Sequence, residues 1–385
     1  MNLEDFIANS NEMFFFKEFT FSVLEVDTDK GEIEIADNMV YLDGLTFVYQ
    51  LKERQPQKTT EEEEEKWFNT KILKEAKNQI KKTIQYIKNH PNIELENHRG
   101  HHISFSEKNI NPLLKIIVYK PHGQLPNHCL QTKFYESKEA GIIHIFDERT
   151  YRGILHSLIT PAEISNYLIF KEKLILEWKN KIEFTSIYES AILGQYYSEN
   201  YDAMPSNEFA QYYRDLENNI EQWDVRKLLS VFWERIIPED QEKNYYLILK
   251  EIAKLNRFEL KAFRERYILA REDSKNDRGR TPYVMISERT GCGFVFMPIL
   301  KKDKEKWLEF QYYPDVFRYQ NKLNKCIGIF ICADTEEWFD CNWMFLNEEW
   351  KENLEFDGWI EKNEKNYGSF FRETKRHKIT YLDKN

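Results

Sequence analysis

Two β-rich runs, Met39 to Leu42 and Leu45 to Tyr49, are separated by Asp43-Gly44, a dipeptide favoured in two-residue type I′ turns because both turn positions need positive φ. No other short stretch restricts this chain as tightly, since a two-residue turn dictates the pairing of both strands. With Leu42 paired to Leu45, Val40 faces Phe47, Asn38 faces Tyr49 and Asp37 faces Gln50. Strand side chains alternate between faces. Leu45, Phe47, Tyr49 and Leu51 therefore form one apolar face, while the other gathers Asp37, Gln50 and Lys52.

At 385 residues the chain exceeds one ordinary core, and two or three domains are expected. A hydrophobic content of 41% argues for a folded protein, and 31% charged residues for a soluble one. Neither an apolar run of 18 or more residues nor a basic-then-apolar leader is present, so a cytoplasmic protein with no membrane partner is expected. The five cysteines, Cys129, Cys292, Cys326, Cys332 and Cys341, never fall at C-x-x-C spacing; they read as buried small hydrophobes. A net charge of -10 argues against indiscriminate coating of nucleic acid. Charge is uneven, however: Lys66 to Lys88 holds seven lysines against one acid, directly after the run Glu61 to Glu65, which suits a helix start.

Periodicity predicts a mixed α/β chain in three regions. Residues 1–170 hold an aromatic-rich opening, the hairpin, the polar linker "RQPQKTT", and a long helix "EEEEEKWFNTKILKEAKNQIKKTIQYI" with Leu73, Ala76, Ile80, Ile84 and Ile87 as its buried stripe. The apolar runs "LLKIIVYK" and "GIIHIF" then read as buried strands. A helix follows, with Thr160 as N-cap, Pro161 at N1 and Glu163 completing a capping box. Residues 171–275 read as helical, with "VRKLLSVFWERII" and "YYLILKEIAKLNRFELKAFRERYILARE" as the clearest helices. Residues 276–385 return to strands, forming a C-terminal α+β domain around "PYVMIS", "GCGFVFMPI" and "KCIGIFICAD".

An N-terminal order of helix, strands, Asp37, turn, a strand ending in Gln50-Leu51-Lys52, and a basic helix resembles the PD-(D/E)XK nuclease superfamily, in the variant with Gln for the second acid found in Mrr-like restriction endonucleases. The resemblance covers about 90 residues closely and about 170 loosely. It implies a restriction-endonuclease-like αβββαβ core and a metal-dependent endonuclease that hydrolyses DNA phosphodiesters in prokaryotic restriction or antiphage defence. Asp37, Gln50 and the Leu51 backbone carbonyl would hold Mg²⁺ or Mn²⁺, and Lys52 would orient the attacking water and offset phosphate charge. A helper acid is needed, and Glu18 or Glu12 is the candidate. On the following helix Lys74, Lys77, Lys81 and Lys88 form a stripe that reads either as a phosphate-tracking ridge or as a solvated face; Gln79 resembles a glutamine common in this helix of the superfamily.

Other patterns are weaker. "HRGHH" (His98, His101, His102) reads as a polar loop, and His128-Cys129 lacks a third ligand nearby in sequence. "ERTGCGFVF" has the wrong glycine spacing for a phosphate-binding loop, and the aromatics of "WFDCNWMF" read as core. The distal half would read a DNA target, sense a partner protein or small-molecule activator, or build a homodimer. Its acidic, aromatic-rich end favours sensing. A catalytically silent binding or scaffold protein with the same fold, and a ribonuclease, stay open as alternatives.

Overall fold

The computed structural model describes residues 2–28, 31–56, 58–90, 92–106, 110–214, 245–278, 281–333 and 339–371. Two compact units divide the chain after residue 219. In the first, helix α1 (Leu3–Phe15) is capped by Asn2, whose side chain accepts from Asp5 N at 2.7 Å. Strands β1 (Thr20–Thr28), β2 (Gly31–Leu42) and β3 (Leu45–Glu53) then form an antiparallel meander. Asp43 and Gly44 take φ of 50° and 92°. Val40 pairs with Phe47 and Asn38 with Tyr49, the register that the turn dictates.

A continuous helical run follows: α2 (Glu61–Trp67), a π-helical stretch Phe68–Ala76, and α3 (Lys77–Asn89). Thr60 and Glu63 form a reciprocal capping box, and acids fill the first turn. Of the expected stripe, Ala76, Ile80, Ile84 and Ile87 are buried, whereas Leu73 is only half-buried and Ile72 is fully enclosed instead. The wider π turn shifts the helix phase, so apolar positions before it no longer line up with those after it.

Beyond a small hairpin of β4 (Ile93–Glu96) and β5 (His102–Phe105), strand β6 (Leu113–Lys120) runs parallel to β3. Helix α4 (Asn127–Leu130) and strands β7 (Phe134–Ser137) and β8 (Gly141–Asp147) complete a sheet in the order β1-β2-β3-β6-β8-β7, with β6 and β8 parallel. Helices α5 (Glu148–Leu158), α6 (Pro161–Trp178), α7 (Glu189–Tyr197) and α8 (Ala210–Arg214) follow. Thr160 Oγ1 caps α6 by accepting from Glu163 N at 3.0 Å. The first unit is thus a mixed α/β sandwich whose leading elements follow the order αβββαβ.

Both sheet faces are covered. Val40, Phe47, Tyr49 and Leu51 pack with α1, α5, α6 and α7; Met39, Val48, Ile117 and Tyr119 pack under the α2–α3 run. The face expected to be polar is therefore apolar along most of its length, with Gln50 and Lys52 at one end. Its cause is the position of β3 between β2 and a parallel neighbour, which requires cover on both sides. A polar network crosses the α1 side: Asn11 Nδ2 donates to Asn38 Oδ1 at 2.7 Å, and the Tyr151 hydroxyl lies 2.8 Å from Asn11 Oδ1 and 2.9 Å from the Tyr49 hydroxyl. Glu53 ties three elements together, accepting from Leu3 N at 2.8 Å and pairing with Lys120 Nζ at 2.7 Å.

In the second unit, the long helix expected from residue 245 is broken. Asn256 caps a new start and exchanges hydrogen bonds with Glu259, giving α9 (Tyr245–Ala253) and α10 (Arg257–Lys275). Strands β9 (Tyr283–Ser287) and β10 (Cys292–Pro298), helix α11 (Tyr312–Gln320), strands β11 (Lys325–Ala333) and β12 (Phe339–Asn347), and α12 (Leu354–Tyr367) follow. The sheet order is β12-β11-β10-β9, with β10 and β11 parallel. Phe263 of α10 meets Phe294 and Phe296 edge-on, and the Ser274 hydroxyl donates to Ile299 O at 2.6 Å and accepts from Ala333 N at 2.8 Å.

The three-region division is accordingly corrected. Residue 170 lies inside α6, whose Leu174 and Ile175 belong to the first core together with α7, and α10, placed before the boundary at 275, packs on the second sheet. The helix expected over "VRKLLSVFWERII" lies outside the described residues. Among the cysteines, Cys129, Cys292, Cys326 and Cys332 are buried and Cys341 is half-buried. Of "WFDCNWMF", Trp338 lies outside the described residues and the rest, in β12, is mostly half-buried, with Trp343 stacked on Phe263. No described helix is long and apolar enough to cross a membrane.

Candidate active site at the end of strands β2 and β3

The paired register of β2 and β3 runs from the turn to Asn38 opposite Tyr49. One step further, the Leu51 N–H donates to Asp37 Oδ2 at 2.5 Å, so a side chain takes the place of a ladder partner. The N–H and C=O of one strand residue project to the same side. Hence the Leu51 carbonyl points to the same side of β3 as the N–H that holds the Asp37 carboxylate. Asp37 is 8% exposed and Gln50 1%, and Gln50 Oε1 is buried without a hydrogen-bond partner. Lys52, two residues along the same face, is half-buried. The trio read from the hairpin is therefore assembled at one end of the sheet.

That end holds further unpartnered oxygens. Tyr119 stands opposite Lys52 in the β3–β6 register, and its buried hydroxyl has no partner; burial, with Asp147 and Cys129 adding, pushes it far above the ordinary phenol range. Glu64 on α2 is fully buried, with Oε1 accepting from Arg54 Nε at 3.1 Å and Oε2 unpartnered. Thr59 Oγ1 is likewise unpartnered, and it sits so near Gly123 that a Cβ there would approach to 2.4 Å. Buried polar atoms are satisfied in the great majority of cases, which makes these orphans, all on elements that meet at the carboxyl ends of β3 and β6, the features of this end that call for a partner. Glu64 escaped the sequence reading because its charge run signals a helix start equally well. Only the fold reveals which of the glutamates turns inward.

Neither expected helper acid joins this group. Glu18 is buried and accepts from Arg99 Nε at 3.1 Å, and Glu12 pairs with Lys17 at 3.6 Å and with His98. Because β1 runs antiparallel to β2, with Thr20 opposite Val40, residues preceding β1 lie at the turn end. Glu18 sits in the 3-10 turn Lys17–Phe19 that precedes β1.

The lysine stripe is displaced for a similar reason. The α2–α3 run returns antiparallel to β3, so α3 lies toward the beginnings of the parallel strands. There Lys77 Nζ donates to the Tyr135 hydroxyl at 2.9 Å, and Lys81 pairs with Glu139 at 2.7 Å, just before β8 begins. Lys74 is exposed, and Gln79 Oε1 is buried and unpartnered at a position between Lys77 and Lys81. Lys77 and Lys81 are thus engaged with β7 and the turn before β8.

His128-Cys129 does gain a third neighbour, correcting the expectation that it lacks one: Glu65 Oε1 lies 3.2 Å from His128 Nε2, and Cys129 Sγ lies 3.4 Å from the same nitrogen. Burial, with Glu65 adding, pushes the Cys129 thiol up to about 11, opposite to the shift that makes a thiolate ligand. In the "HRGHH" segment Asn97 Oδ1 accepts from Arg99 N and His101 N, which shapes a turn.

The chain matches no protein-family model, and no curated protein and no solved structure is significantly similar to it.

Proposed function

We propose that the first unit is a divalent-cation-dependent DNA endonuclease whose site is formed by Asp37, Gln50, Leu51 and Lys52. The observation that carries this reading is the orphaned, buried Gln50 Oε1, one residue before Leu51, whose N–H holds the Asp37 carboxylate. Three hard oxygen donors from two rigid strands suit Mg²⁺ or Mn²⁺. A single carboxylate binds such an ion weakly; Glu64, enclosed at this end with Oε1 on Arg54 and Oε2 unpartnered, is the acid we assign as helper in place of Glu18. The order αβββαβ supports the same reading.

When bound, the cation supplies charge relief at the phosphate oxygens. The chain's own groups do the rest. The Leu51 N–H fixes the Asp37 carboxylate before substrate arrives, so that no reorganisation is needed. Lys52 hydrogen-bonds the attacking water and offsets the negative charge that grows on the phosphate. A place in restriction or antiphage defence follows from the resemblance alone.

The test is cleavage of supercoiled plasmid with Mg²⁺ or Mn²⁺ by the parent, Asp37→Ala and Lys52→Ala. Nicking by the parent that disappears in both variants is expected. Undiminished nicking by both variants sinks the assignment. RNA cleaved in place of DNA, with the same dependence, redirects it to a ribonuclease, and no cleavage of either leaves the silent scaffold.

A further inference from the structure

A cleft of about 780 Å³ opens at the carboxyl ends of β6 and β8, bounded by the loop after β6, the start of α5 and the start of α7. Its volume falls in the range of small-molecule sites, and its position is the one that parallel strands offer to ligands. Lys133 lines it and is 6% exposed. The Lys133 ammonium donates to Gln131 O at 2.9 Å and to Gln131 Oε1 at 3.1 Å, both neutral acceptors. A buried cation is costly without a counter-charge.

The carboxylate that acts on it most directly is already engaged. Glu189 of α7 lies near enough to influence Lys133, but its two oxygens accept from Lys171 Nζ at 2.7 and 2.9 Å and one also accepts from the Tyr167 hydroxyl. Two enclosed lysines thus share one carboxylate, and only Lys171 holds it directly. At the α5 start, Asp147 is occupied as N-cap, accepting from Arg149 N, Thr150 N and the Thr150 hydroxyl. Lys120 is taken by Glu53, while Glu148, Arg149 and His122 stand along the lining. Leu130 and Tyr188, exposed at 39% and 56%, add apolar surface there.

We infer that this cleft binds a small organic anion whose phosphate or carboxylate group pairs with the Lys133 ammonium. The site is separate from Asp37 and its test does not depend on cleavage. Burial, outweighing Glu189, holds the Lys133 ammonium down at about 8, with Lys171 lowering it further, so an anion that pairs with it should lose affinity in more alkaline solution.

Calorimetric titration of the full chain with inorganic phosphate and with succinate separates the two headgroups. Binding of either, weakened at least tenfold by Lys133→Gln, is expected. Binding of neither, or equal binding by parent and variant, overturns the proposal. Should Lys133→Gln fail to fold, the parent's own pH profile decides: affinity that falls above about pH 8 supports the pairing, and affinity unchanged to pH 9.5 overturns it.

Discussion

The Leu51 N–H and the Asp37 carboxylate meet at 2.5 Å just beyond the last register pair of β2 and β3, Asn38 opposite Tyr49. A carboxylate held by a peptide N–H keeps its orientation when its charge is removed. Asp37→Asn should therefore change stability by about 1 kcal/mol or less, the scale of one hydrogen bond. Millimolar Mn²⁺ should raise the melting temperature of the parent but not of the variant, because only a species that binds the folded state stabilises it. Equal shifts in thermal melts of both would place the cation elsewhere.

Gln50→Glu supplies a second carboxylate where an unpartnered amide oxygen now sits. With a cation in reach, the added charge should lower the Mg²⁺ concentration for half-maximal cleavage by about tenfold, roughly 1.4 kcal/mol. Without one, a buried carboxylate is simply unpaired, and urea unfolding should then show a loss of several kcal/mol.

Asn38→Ala leaves Asn11 Nδ2 without its acceptor inside the core. An orphaned buried donor costs about 1–3 kcal/mol. Because Asn11 also meets Tyr151, Asn38→Ala and Tyr151→Phe should be non-additive in a double-mutant cycle by more than about 0.5 kcal/mol. Strict additivity in urea melts would mean that the network is not one unit.

His144 is fully enclosed, and burial holds its imidazole below the ordinary histidine range; Glu172 pulls it upward, while Lys171 and Lys115 push it down. The folded state then binds its proton less readily than the unfolded chain does. Its contribution to stability is complete above the unfolded value of about 6.5 and is lost as pH falls from there toward the folded value, at up to about 1.4 kcal/mol per pH unit. His144→Leu should remove that part of the acid slope in melts between pH 7 and 5.

What the sequence made legible was local or fixed by a turn. Asp43-Gly44 determined the hairpin register, and with it the grouping of Asp37, Gln50 and Lys52. Thr60 and Thr160 marked helix starts, and the apolar runs of β6 and β8 identified buried strands. What stayed hidden depends on partners far apart in the chain. Glu18 looks like an available acid until Arg99, 81 residues away, is found holding it. Lys81 looks like a phosphate contact until Glu139 is seen beside it. Lys133 shows no local pattern at all, since its setting is composed by α5, α6 and α7. The division at residue 170 failed because nothing in the residues of α6 says which sheet its apolar side covers.

Glu53 holds the first turn of α1 through Leu3 N and the end of β6 through Lys120, one residue beyond Lys52. A fluctuation that frees the end of β3 must also release the Leu3 amide to solvent. Hydrogen exchange at that single amide, outside the candidate site, becomes a remote gauge of how firmly the strand bearing Gln50 and Lys52 is seated, readable with or without substrate.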